Sequence, residues 1–385
     1  MTETRKRIAI FTWGVADGAM AAIAAGLASG FAELGCDLDV VRISSDPPRD
    51  DLAFPVDVRH FCLNTRSSRS FVRLARYLRT NRPDVLICLG WMQNAPGIMA
   101  RVLSRYRGLL LLNEQATLTY KARVEHRSDP MLSRMAWFAR RFYDRADAVV
   151  AVSTSVLVDL ESLGIPRSLP LLAIPNPIDQ PRVRRLARAP SDVVESQKRD
   201  GPLVVSVGRL ARQKNQRLLI GAFAQYRRAS GIGTLVIAGE GPMRGQLEDM
   251  IQRSGLAAHV HLVGLVENPY PLIAAADAFV LSSEEEGFGL VLGEAMAIGT
   301  PIVATDCPGG VAEVLDGGNA GVLVRSNDEA ALSQAMADVV ADSALRARIV
   351  EHGLEHVQRY APRAVASEWL ELIDRLSVEK TREPG

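Results

Sequence analysis

Short runs of β-branched and other apolar residues recur along the chain, separated by intervals long enough to form a helix. Each run is typical of a buried strand. Alternation of such strands with amphipathic segments predicts parallel sheets with right-handed crossovers. The predicted strands are Arg7–Thr12, Leu38–Ile43, Val56–Phe61, Val85–Leu89, Leu109–Leu112, Ala148–Val152 and Leu171–Ile174 in the first half, and Leu203–Val207, Thr234–Ala238, Val260–Val263, Ala278–Leu281, Ile302–Ala304 and Val322–Val324 in the second.

These two sets of strands predict an α/β fold with two Rossmann-like domains. A proline-rich segment, Pro175–Pro181, ends the first set, and a polar stretch follows it before the strand pattern resumes. The predicted domains are therefore residues 1–178 and 179–362. Because ligands bind at the carboxyl ends of parallel strands, we expect the two sheets to face each other across a cleft.

A last amphipathic helix is predicted over Ala364–Val378, directly after Pro362. It follows the second set of strands, so we expect it to cross back and complete the first domain with residues 363–385. Its predicted apolar face consists of Ala366, Trp369, Leu372, Ile373 and Leu376.

Composition narrows the class of protein. A chain of 385 residues exceeds one ordinary core, and 48% hydrophobic with 23% charged residues is typical of globular domains. The four cysteines have no metal-binding spacing, which favours reduced thiols in the cytosol. The longest uncharged stretches are too short and too polar to cross a bilayer, and the N-terminus lacks the apolar segment of a signal peptide. We expect a soluble, cytoplasmic protein.

Charge is unevenly distributed although the net charge is only +1. Residues 66–145 contain 16 Lys and Arg against 5 Asp and Glu, a net of +11. Arg69, Arg73, Arg76 and Arg79 recur every three to four residues and would share one helix face. This face is either simply solvated, or it contacts an anionic membrane or a pyrophosphate-linked lipid acceptor. A nucleic acid is disfavoured because no stacking aromatics accompany the arginines.

The segment 282–297 contains the most informative group of candidate binding residues. Glu286 and Glu294 stand eight positions apart where a predicted strand leads through a glycine turn into a helix. The free N–H groups of Gly287, Phe288, Gly289 and Leu290 would open that helix, and such an end attracts phosphate. Carboxylates for sugar hydroxyls beside N–H groups for phosphate together predict a nucleotide-sugar site.

A cationic loop follows the predicted strand 203–207. Gly208 allows a tight turn and close approach of a ligand, Arg209 offers a planar fork for phosphate oxygens, and Lys214 offers a mobile point charge. We expect the Arg209 and Lys214 side chains to converge on one diphosphate.

Other motifs favour structural roles. The segment 239–245 has the spacing G-x-G-x3-G, which is not a dinucleotide fingerprint, and it predicts a turn into a helix starting at Pro242. Asp37 and Asp39 are predicted to be surface strand residues without a third ligand nearby, so no metal site is expected. His126 is predicted to be an ordinary surface histidine.

In the first domain, Gly18 stands at the start of a small-residue helix. It would either admit a diphosphate or an acceptor, or serve tight helix packing. Asn113 and Glu114 close an apolar strand and would present polar groups to the cleft.

The order Gly208-Arg209 and Lys214, then Gly239 to Pro242, Gly264, and Glu286 to Glu294 resembles the group 1, glycogen-synthase-like retaining glycosyltransferases of GT-B fold. The resemblance covers essentially the whole chain and is most specific over residues 176–324. It implies that Arg209 and Lys214 hold the donor diphosphate, that Glu294 binds the ribose and that Glu286 binds the transferred sugar. It also implies that no metal ion or cofactor takes part.

The resemblance assigns three further positions. The backbone of Leu265 and Val266 matches the segment that reads the base, and Asn176 matches a position at the cleft edge. Two departures concern the acceptor side. The Gly-Gly pair usual after the first strand is Asp17-Gly18 here, and the histidine often found near the transferred sugar is replaced by Asn113 or Glu114.

The predicted function is transfer of a hexose, with retention, from a nucleoside diphosphate sugar of the UDP-sugar class. Arg209, Lys214 and Glu286 would be the catalytic residues. The expected acceptor is a glycan or lipid-linked acceptor in the assembly of cell-surface polysaccharide or lipopolysaccharide, at the inner face of the membrane. The alternatives are a nucleotide-sugar epimerase or hydrolase of the same fold, or a non-catalytic sugar-nucleotide-binding protein.

Overall fold

The computed structural model describes residues 5–382 except 17, 48–51, 53, 66–68, 125–129, 167 and 197–200. The chain divides into two compact units, one of residues Met1–Ile178 with Arg359–Gly385 and one of residues Asp179–Gln358. Each unit contains one parallel sheet, so the predicted α/β fold class with two Rossmann-like domains is confirmed.

The first unit is built on a seven-stranded sheet of order β3-β2-β1-β4-β5-β6-β7, in which every neighbouring pair is parallel. All residues of β4 and β5 are buried, as expected for central strands of a sheet covered on both faces. The strands are β1 (Arg7–Thr12), β2 (Asp37–Arg42), β3 (Arg59–Cys62), β4 (Val85–Leu89), β5 (Leu109–Glu114), β6 (Ala148–Ala151) and β7 (Leu171–Ala173).

The helices that connect these strands begin with α1, whose small residues allow close packing on the sheet. They are α1 (Gly18–Glu33), α2 (Ser70–Asn81), α3 (Trp91–Ser104), α4 (Leu118–Val124), α5 (Pro130–Phe142) and α6 (Thr154–Ser162), with a 3-10 turn at Tyr143–Arg145.

The second unit repeats the plan with six parallel strands in the order β10-β9-β8-β11-β12-β13. Its core is formed by residues such as Phe223, Leu235, Val280 and Met336, which are fully buried between sheet and helices. The strands are β8 (Leu203–Val207), β9 (Thr234–Ala238), β10 (Val260–Gly264), β11 (Ala278–Leu281), β12 (Ile302–Asp306) and β13 (Val322–Arg325).

The helices of the second unit begin within the end of the proline-rich segment, where Asp179 caps α7 by accepting a hydrogen bond from the N–H of Arg182. They are α7 (Gln180–Ala187), α8 (Asp192–Ser196), α9 (Gln216–Ser230), α10 (Arg244–Arg253), α11 (Tyr270–Ala274), α12 (Leu290–Ile298), α13 (Val311–Val314), α14 (Glu329–Ala341) and α15 (Ser343–His356), with 3-10 turns at Arg212–Lys214, Asp316–Gly318 and Val357–Tyr360.

The last helix, α16 (Pro362–Arg382), belongs to the first unit and packs against α1 and β5. All five residues of its predicted apolar face are buried. Close packing requires glycine at position 30 of α1, because a Cβ there would lie 2.0 Å from the carbonyl oxygen of Pro362. The predicted return of the C-terminal helix to the first domain is thereby confirmed.

Three local predictions need correction. Strand β3 begins at Arg59 rather than Val56, whose side chain is fully exposed. Helix α10 begins at Arg244 rather than Pro242. Asp39 is fully buried rather than on the surface, because its carboxylate lies beside Arg59 of the neighbouring strand, 2.6 Å from that guanidinium, and also pairs with Arg7.

Of the four free cysteines, Cys88 and Cys307 are buried, Cys36 is half-buried and Cys62 is exposed. Within the described part of the chain, every helix is too short or too polar to cross a lipid bilayer.

Candidate functional site

The order of the second sheet reverses between β8 and β11, and ligands of open α/β sheets bind where the loops after two such strands diverge. The backbone is unusually close there. A Cβ on Gly239 would lie 2.0 Å from the carbonyl oxygen of Gly208, and the Gly239 N–H donates to the carbonyl of Gly264 at 2.7 Å. The glycines after β8 and β9 and at the end of β10 therefore allow the backbones at these strand ends to approach each other closely.

The loops after β8 and β11 bring Lys214 and Glu286 together. Lys214 ends the 3-10 turn that follows β8, and its ammonium forms an ion pair with Oε1 of Glu286. Glu286 is only 6% exposed, and Ser283 Oγ donates a hydrogen bond of 2.7 Å to the same carboxylate oxygen. Two groups that are 72 residues apart in sequence thus form one charged contact at the switch point.

The backbone of Glu286 is held by the loop after β12. Gly310 N–H donates to the Glu286 carbonyl at 2.8 Å, and a Cβ on Gly309 would lie 1.7 Å from that same oxygen. On the other side, Gln213 Nε2 donates to the carboxylate of Glu285 at 2.8 Å and to its carbonyl at 2.9 Å. The acidic turn, residues 282–286, is therefore held by the loop after β12 on one side and by Gln213 on the other.

Helix α12 begins at Leu290, after Gly289 in the left-handed region at a φ of +78°. Gly287 and Gly289 flank Phe288, whose side chain is buried. Within the described part of the chain, the N–H groups of Gly289 and Leu290 have no protein acceptor. A helix start of this kind attracts anions, and phosphate binding here stays a prediction.

Glu294 lies one turn into α12 and belongs to a second polar cluster. Tyr270 Oη donates a hydrogen bond of 2.8 Å to its Oε1. Arg182 donates to Tyr270 Oη at 3.3 Å, and its guanidinium lies 5.7 Å from the centre of the Tyr270 ring. Desolvation raises the pKa of Glu294 to about 7, opposed by the Tyr270 hydrogen bond and the Arg182 charge. This carboxyl group consequently depends on its two neighbours to be ionised near neutral pH.

Other residues predicted for the donor site lie on the loops after β8 and β10. The Arg209 side chain is exposed, while its carbonyl accepts a hydrogen bond of 2.9 Å from Gln216. Leu265 is 83% exposed and Val266 is half-buried, directly after β10. An exposed guanidinium and an exposed loop remain accessible to a ligand.

In the first unit, the predicted polar residues form a network at the end of β5. Asn113 is buried and donates to the carbonyl of Val150 at 3.1 Å. Gln115 Nε2 donates to the side-chain oxygens of Asn113 and Asn176, and Asn176 Nδ2 donates back to Gln115 at 2.7 Å. Asn113 and Asn176 are thus brought together through Gln115.

Glu114 is fully buried below this network. Its Oε1 accepts hydrogen bonds from Asn94 at 2.7 Å and from the Tyr143 hydroxyl. Burial raises the pKa of Glu114 to about 7, with the two hydrogen bonds acting in the opposite direction, and burial also raises the pKa of Tyr143. In the described structure this carboxyl group holds helix α3 and the Tyr143 turn against the sheet.

Gly18 is the first residue of α1, with a φ of +80° and open space where a Cβ would stand. It follows β1, at the point where the order of the first sheet reverses between β1 and β4. The predictions for Asp17 and His126 concern positions outside the described residues.

The arginine face of α2 is exposed, but two of its members are engaged. Arg73 donates to the carbonyls of Leu63 and Asn64, the second at 2.7 Å, and Arg79 donates to the carbonyl of Leu103. Arg69 and Arg76 remain exposed. Exposed apolar side chains stand nearby on α2 and on α3, which packs against it, namely Val72, Val102 and Leu103.

Several members of these clusters were not predicted from the sequence. Arg182 lies on α7, ahead of the first strand of the second unit, and Tyr270 begins α11. Neither residue belongs to a glycine-rich loop. Ser283 and Glu285 lie inside the acidic turn, so their position next to Glu286 in the sequence could have indicated a role for them. Asn94 lies in the first turn of α3, shortly after β4. Its position beside the point where the strand order of the first sheet reverses could have indicated a role for it.

Comparison with known proteins agrees with this geometry. A family model described as Glycosyl transferases group 1 matches residues 190–356, and one described as Glycosyl transferase 4-like domain matches residues 18–177. The chain belongs to the group 1 glycosyltransferases. Together the two matches span both units, so the family resemblance inferred from the loops is confirmed.

Relatives of this glycosyltransferase act in glycan assembly. The lipopolysaccharide core biosynthesis glycosyltransferase LpsE of Rhizobium meliloti is 27% identical over 303 residues, which is 78% of this chain and 79% of LpsE. The N-acetylgalactosamine-N,N'-diacetylbacillosaminyl-diphospho-undecaprenol 4-alpha-N-acetylgalactosaminyltransferase of Campylobacter jejuni is 32% identical over 206 residues, or 53% of each chain.

The fold of this glycosyltransferase is GT-B, as in similar solved structures. Anabaena Alr3699/HepE, solved in complex with UDP and glucose, superposes with a TM-score of 0.76 at 22% identity. The match covers 96% of this chain and 100% of that one.

Proposed function

We propose that this group 1 glycosyltransferase transfers a hexose from a UDP-sugar to a glycan or lipid-linked acceptor, with retention of the anomeric configuration. The observation that carries the proposal is the Lys214–Glu286 ion pair between the loops that diverge at the switch point of the second sheet. A cation for the diphosphate and a carboxylate for the sugar already lie in contact there. The UDP and glucose seen in Anabaena Alr3699/HepE support the choice of donor.

The chemistry follows from the charge that develops on the donor. The bond between the anomeric carbon and the phosphate oxygen breaks, and negative charge collects on the departing diphosphate. Lys214, Arg209 and the N–H groups at the start of α12 stabilise that charge. The acceptor oxygen attacks the anomeric carbon from the same face, and its proton passes to the departing phosphate oxygen. No enzymic nucleophile is needed.

The two carboxylates orient the donor rather than exchange protons. Glu286 accepts hydrogen bonds from hydroxyls of the transferred sugar, and Glu294 accepts them from the ribose. The cationic groups at the diphosphate take the place of a metal ion, so we propose that the transfer requires neither a metal nor a cofactor. The Leu265–Val266 backbone follows β10, two strands from β8, and would meet the base there.

The acceptor is proposed to be a precursor of cell-surface polysaccharide or lipopolysaccharide. The relatives from Rhizobium and Campylobacter act on such glycans, the second on an undecaprenol-linked one by its name. The enzyme would work in the cytoplasm at the inner face of the membrane. Exposed Arg69 and Arg76 beside exposed Val72, Val102 and Leu103 combine the charged and apolar groups that an anionic bilayer attracts.

The donor assignment is tested with Lys214→Ala, and Arg212→Ala is the matched control because Arg212 is an exposed cation in the same 3-10 turn. Mass spectrometry of products from a panel of nucleotide sugars and lipid-linked acceptors identifies the substrates. We expect Lys214→Ala to lower kcat by about 10²–10³-fold, as for other groups that stabilise a developing anion, and Arg212→Ala to stay near wild type. A folded Lys214→Ala variant with full turnover would refute the assignment.

The membrane contact is tested by cosedimentation with vesicles of anionic and of neutral lipid. We expect Arg69→Glu with Arg76→Glu to abolish binding to anionic vesicles, because each cation near the surface contributes about 1 kcal/mol. Arg227→Glu with Arg228→Glu on α9 of the second unit is the control with the same charge change. Equal binding of both double variants would exclude the α2 surface.

A further inference from the structure

Asp316, His352 and His356 form a cluster in the second unit that the glycosyl transfer does not use. The two histidines stand one helical turn apart on α15, and Asp316 begins the 3-10 turn after α13. One ligand-capable atom from each of the three side chains lies within 4.8 Å of the other two. Within the described residues, no other group of three histidine, cysteine or carboxylate side chains meets this condition.

The geometry of the cluster suits a small cation. Histidines four residues apart on a helix present their rings on one face, and here the ring centres are 6.0 Å apart with only 18° between the planes. His352 Nε2 lies 2.7 Å from Asp316 Oδ2. Asn319 Nδ2 donates to that same oxygen at 3.2 Å, which orients the carboxylate. Asp316 has a φ of +49°, so its backbone adopts a specific left-handed turn to bring the carboxylate toward the helix.

We propose that Asp316, His352 and His356 form a binding site for a divalent transition metal, Zn²⁺ in the first instance. Imidazole nitrogens with one carboxylate are a common ligand set for zinc, and three protein ligands leave a fourth position for water. Zn–N and Zn–O bonds of about 2.0–2.2 Å place tetrahedral ligands about 3.3 Å apart. The Nε2–Oδ2 contact must therefore widen by about 0.6 Å, which side-chain rotation at a partly exposed site permits.

A bound metal would connect α15 to the segment that follows β12. That segment includes Gly310, whose N–H holds the carbonyl of Glu286, and continues through α13 to Asp316. The site would thus brace the backbone that supports the acidic turn, while none of its three ligands belongs to the donor site. The proposal goes beyond the proposed function and does not depend on it.

The test uses the full-length chain without a histidine tag, freed of metal by a chelator. Zn²⁺ binding is measured by isothermal titration calorimetry, and Co²⁺ is added as a spectroscopic probe because tetrahedral coordination gives intense visible absorption. The variants are His352→Gln, His356→Gln and Asp316→Asn. His261→Gln is the control, since His261 lies on β10 of the same unit outside the cluster. Circular dichroism verifies that each variant is folded.

We expect one Zn²⁺ per chain, a Co²⁺ spectrum of tetrahedral type and a higher Tm with Zn²⁺ than without. Each ligand variant should bind Zn²⁺ about tenfold or more weakly, and His261→Gln should bind it as wild type does. Absence of saturable binding by the wild-type chain would overturn the proposal, as would binding that the three ligand variants leave unchanged.

Discussion

Removal of one hydroxyl group by Tyr270→Phe tests whether the cluster around Glu294 controls donor binding. The Tyr270 ring is buried and would stay in place, and it would keep its contact with the Arg182 guanidinium. What disappears is the hydroxyl group, which accepts a hydrogen bond of 3.3 Å from Arg182 and donates one of 2.8 Å to Glu294 Oε1. The variant therefore isolates the orientation and ionisation of one carboxyl group from the packing around it.

The expected loss of donor affinity follows from the hydrogen bond to Glu294, whose acceptor is a charged group. A hydrogen bond to a charged group contributes about 1.5–3 kcal/mol. Glu294 is partly exposed, so water can replace the phenol, and we expect a loss near the lower end, about 1.5 kcal/mol or roughly tenfold in affinity for the donor nucleotide.

The effect also depends on pH. The Tyr270 hydroxyl lowers the pKa of Glu294 against the desolvation that raises it to about 7. Its removal moves the pKa further up, so less of the carboxylate that accepts from ribose hydroxyls is ionised near neutral pH. We therefore expect a larger loss at about pH 6.5 than at about pH 8.5.

The assay is the Kd for UDP by calorimetry across that pH range, with kcat/KM for the donor beside it. Tyr226→Phe is the control, because Tyr226 is another buried tyrosine of the second unit and lies on α9 in its core. Equal Kd values and equal pH profiles for Tyr270→Phe and wild type would refute the role assigned to this cluster. So would an equal loss in Tyr226→Phe.

Two further predictions concern the loop after β12 and the interior of the first unit. Gly309→Ala should lower the free energy of unfolding by about 1–3 kcal/mol and weaken UDP binding, because φ is +121° and the Cβ would overlap the Glu286 carbonyl. Urea unfolding measures the first effect. Gly245→Ala, in helix α10 with open space around it, should lower neither stability nor UDP binding. Glu114→Gln should reduce the pH dependence of stability. The native pKa of Glu114 lies at about 7, above its ordinary 4.5, so the folded state binds more protons between these values and stability falls as pH rises through them. Urea unfolding across that range checks the slope, and an unchanged slope in Glu114→Gln would contradict the assignment.

Hydrophobic patterning predicted most of the fold because parallel strands are buried on both faces. Runs such as Val85–Leu89 have no polar alternation, and they coincide with the strands observed. The pattern fails where a strand lies at a sheet edge. At β3 the predicted strand begins at Val56, but Val56 is exposed and pairing with β2 starts only at Arg59. Burial of Asp39 was missed for a related reason, since its neutralising arginines come from two other strands.

The contact between the loops proposed to bind the donor was predictable because its residues occupy loops that directly follow strands. In a parallel sheet, such loops all lie at one edge, so Lys214 and Glu286 meet although 72 residues separate them. Residues placed by helix packing carry no such signal. Arg182 reaches Tyr270 because α7 packs on α11 and α12, an arrangement that depends on tertiary contacts rather than on local pattern.

The role of the first unit, where we propose that the acceptor binds, is harder to predict from the sequence. In the second unit the proposed ligand groups are charges beside glycines, and a buried charge such as that of Glu286 needs a partner. In the first unit the polar groups at the end of β5 satisfy one another. Asn113, Gln115 and Asn176 exchange amide hydrogen bonds, and Glu114 is enclosed by Asn94 and Tyr143. If the proposed acceptor binds there, it must break or extend this network, and its recognition would then require these amides to rearrange.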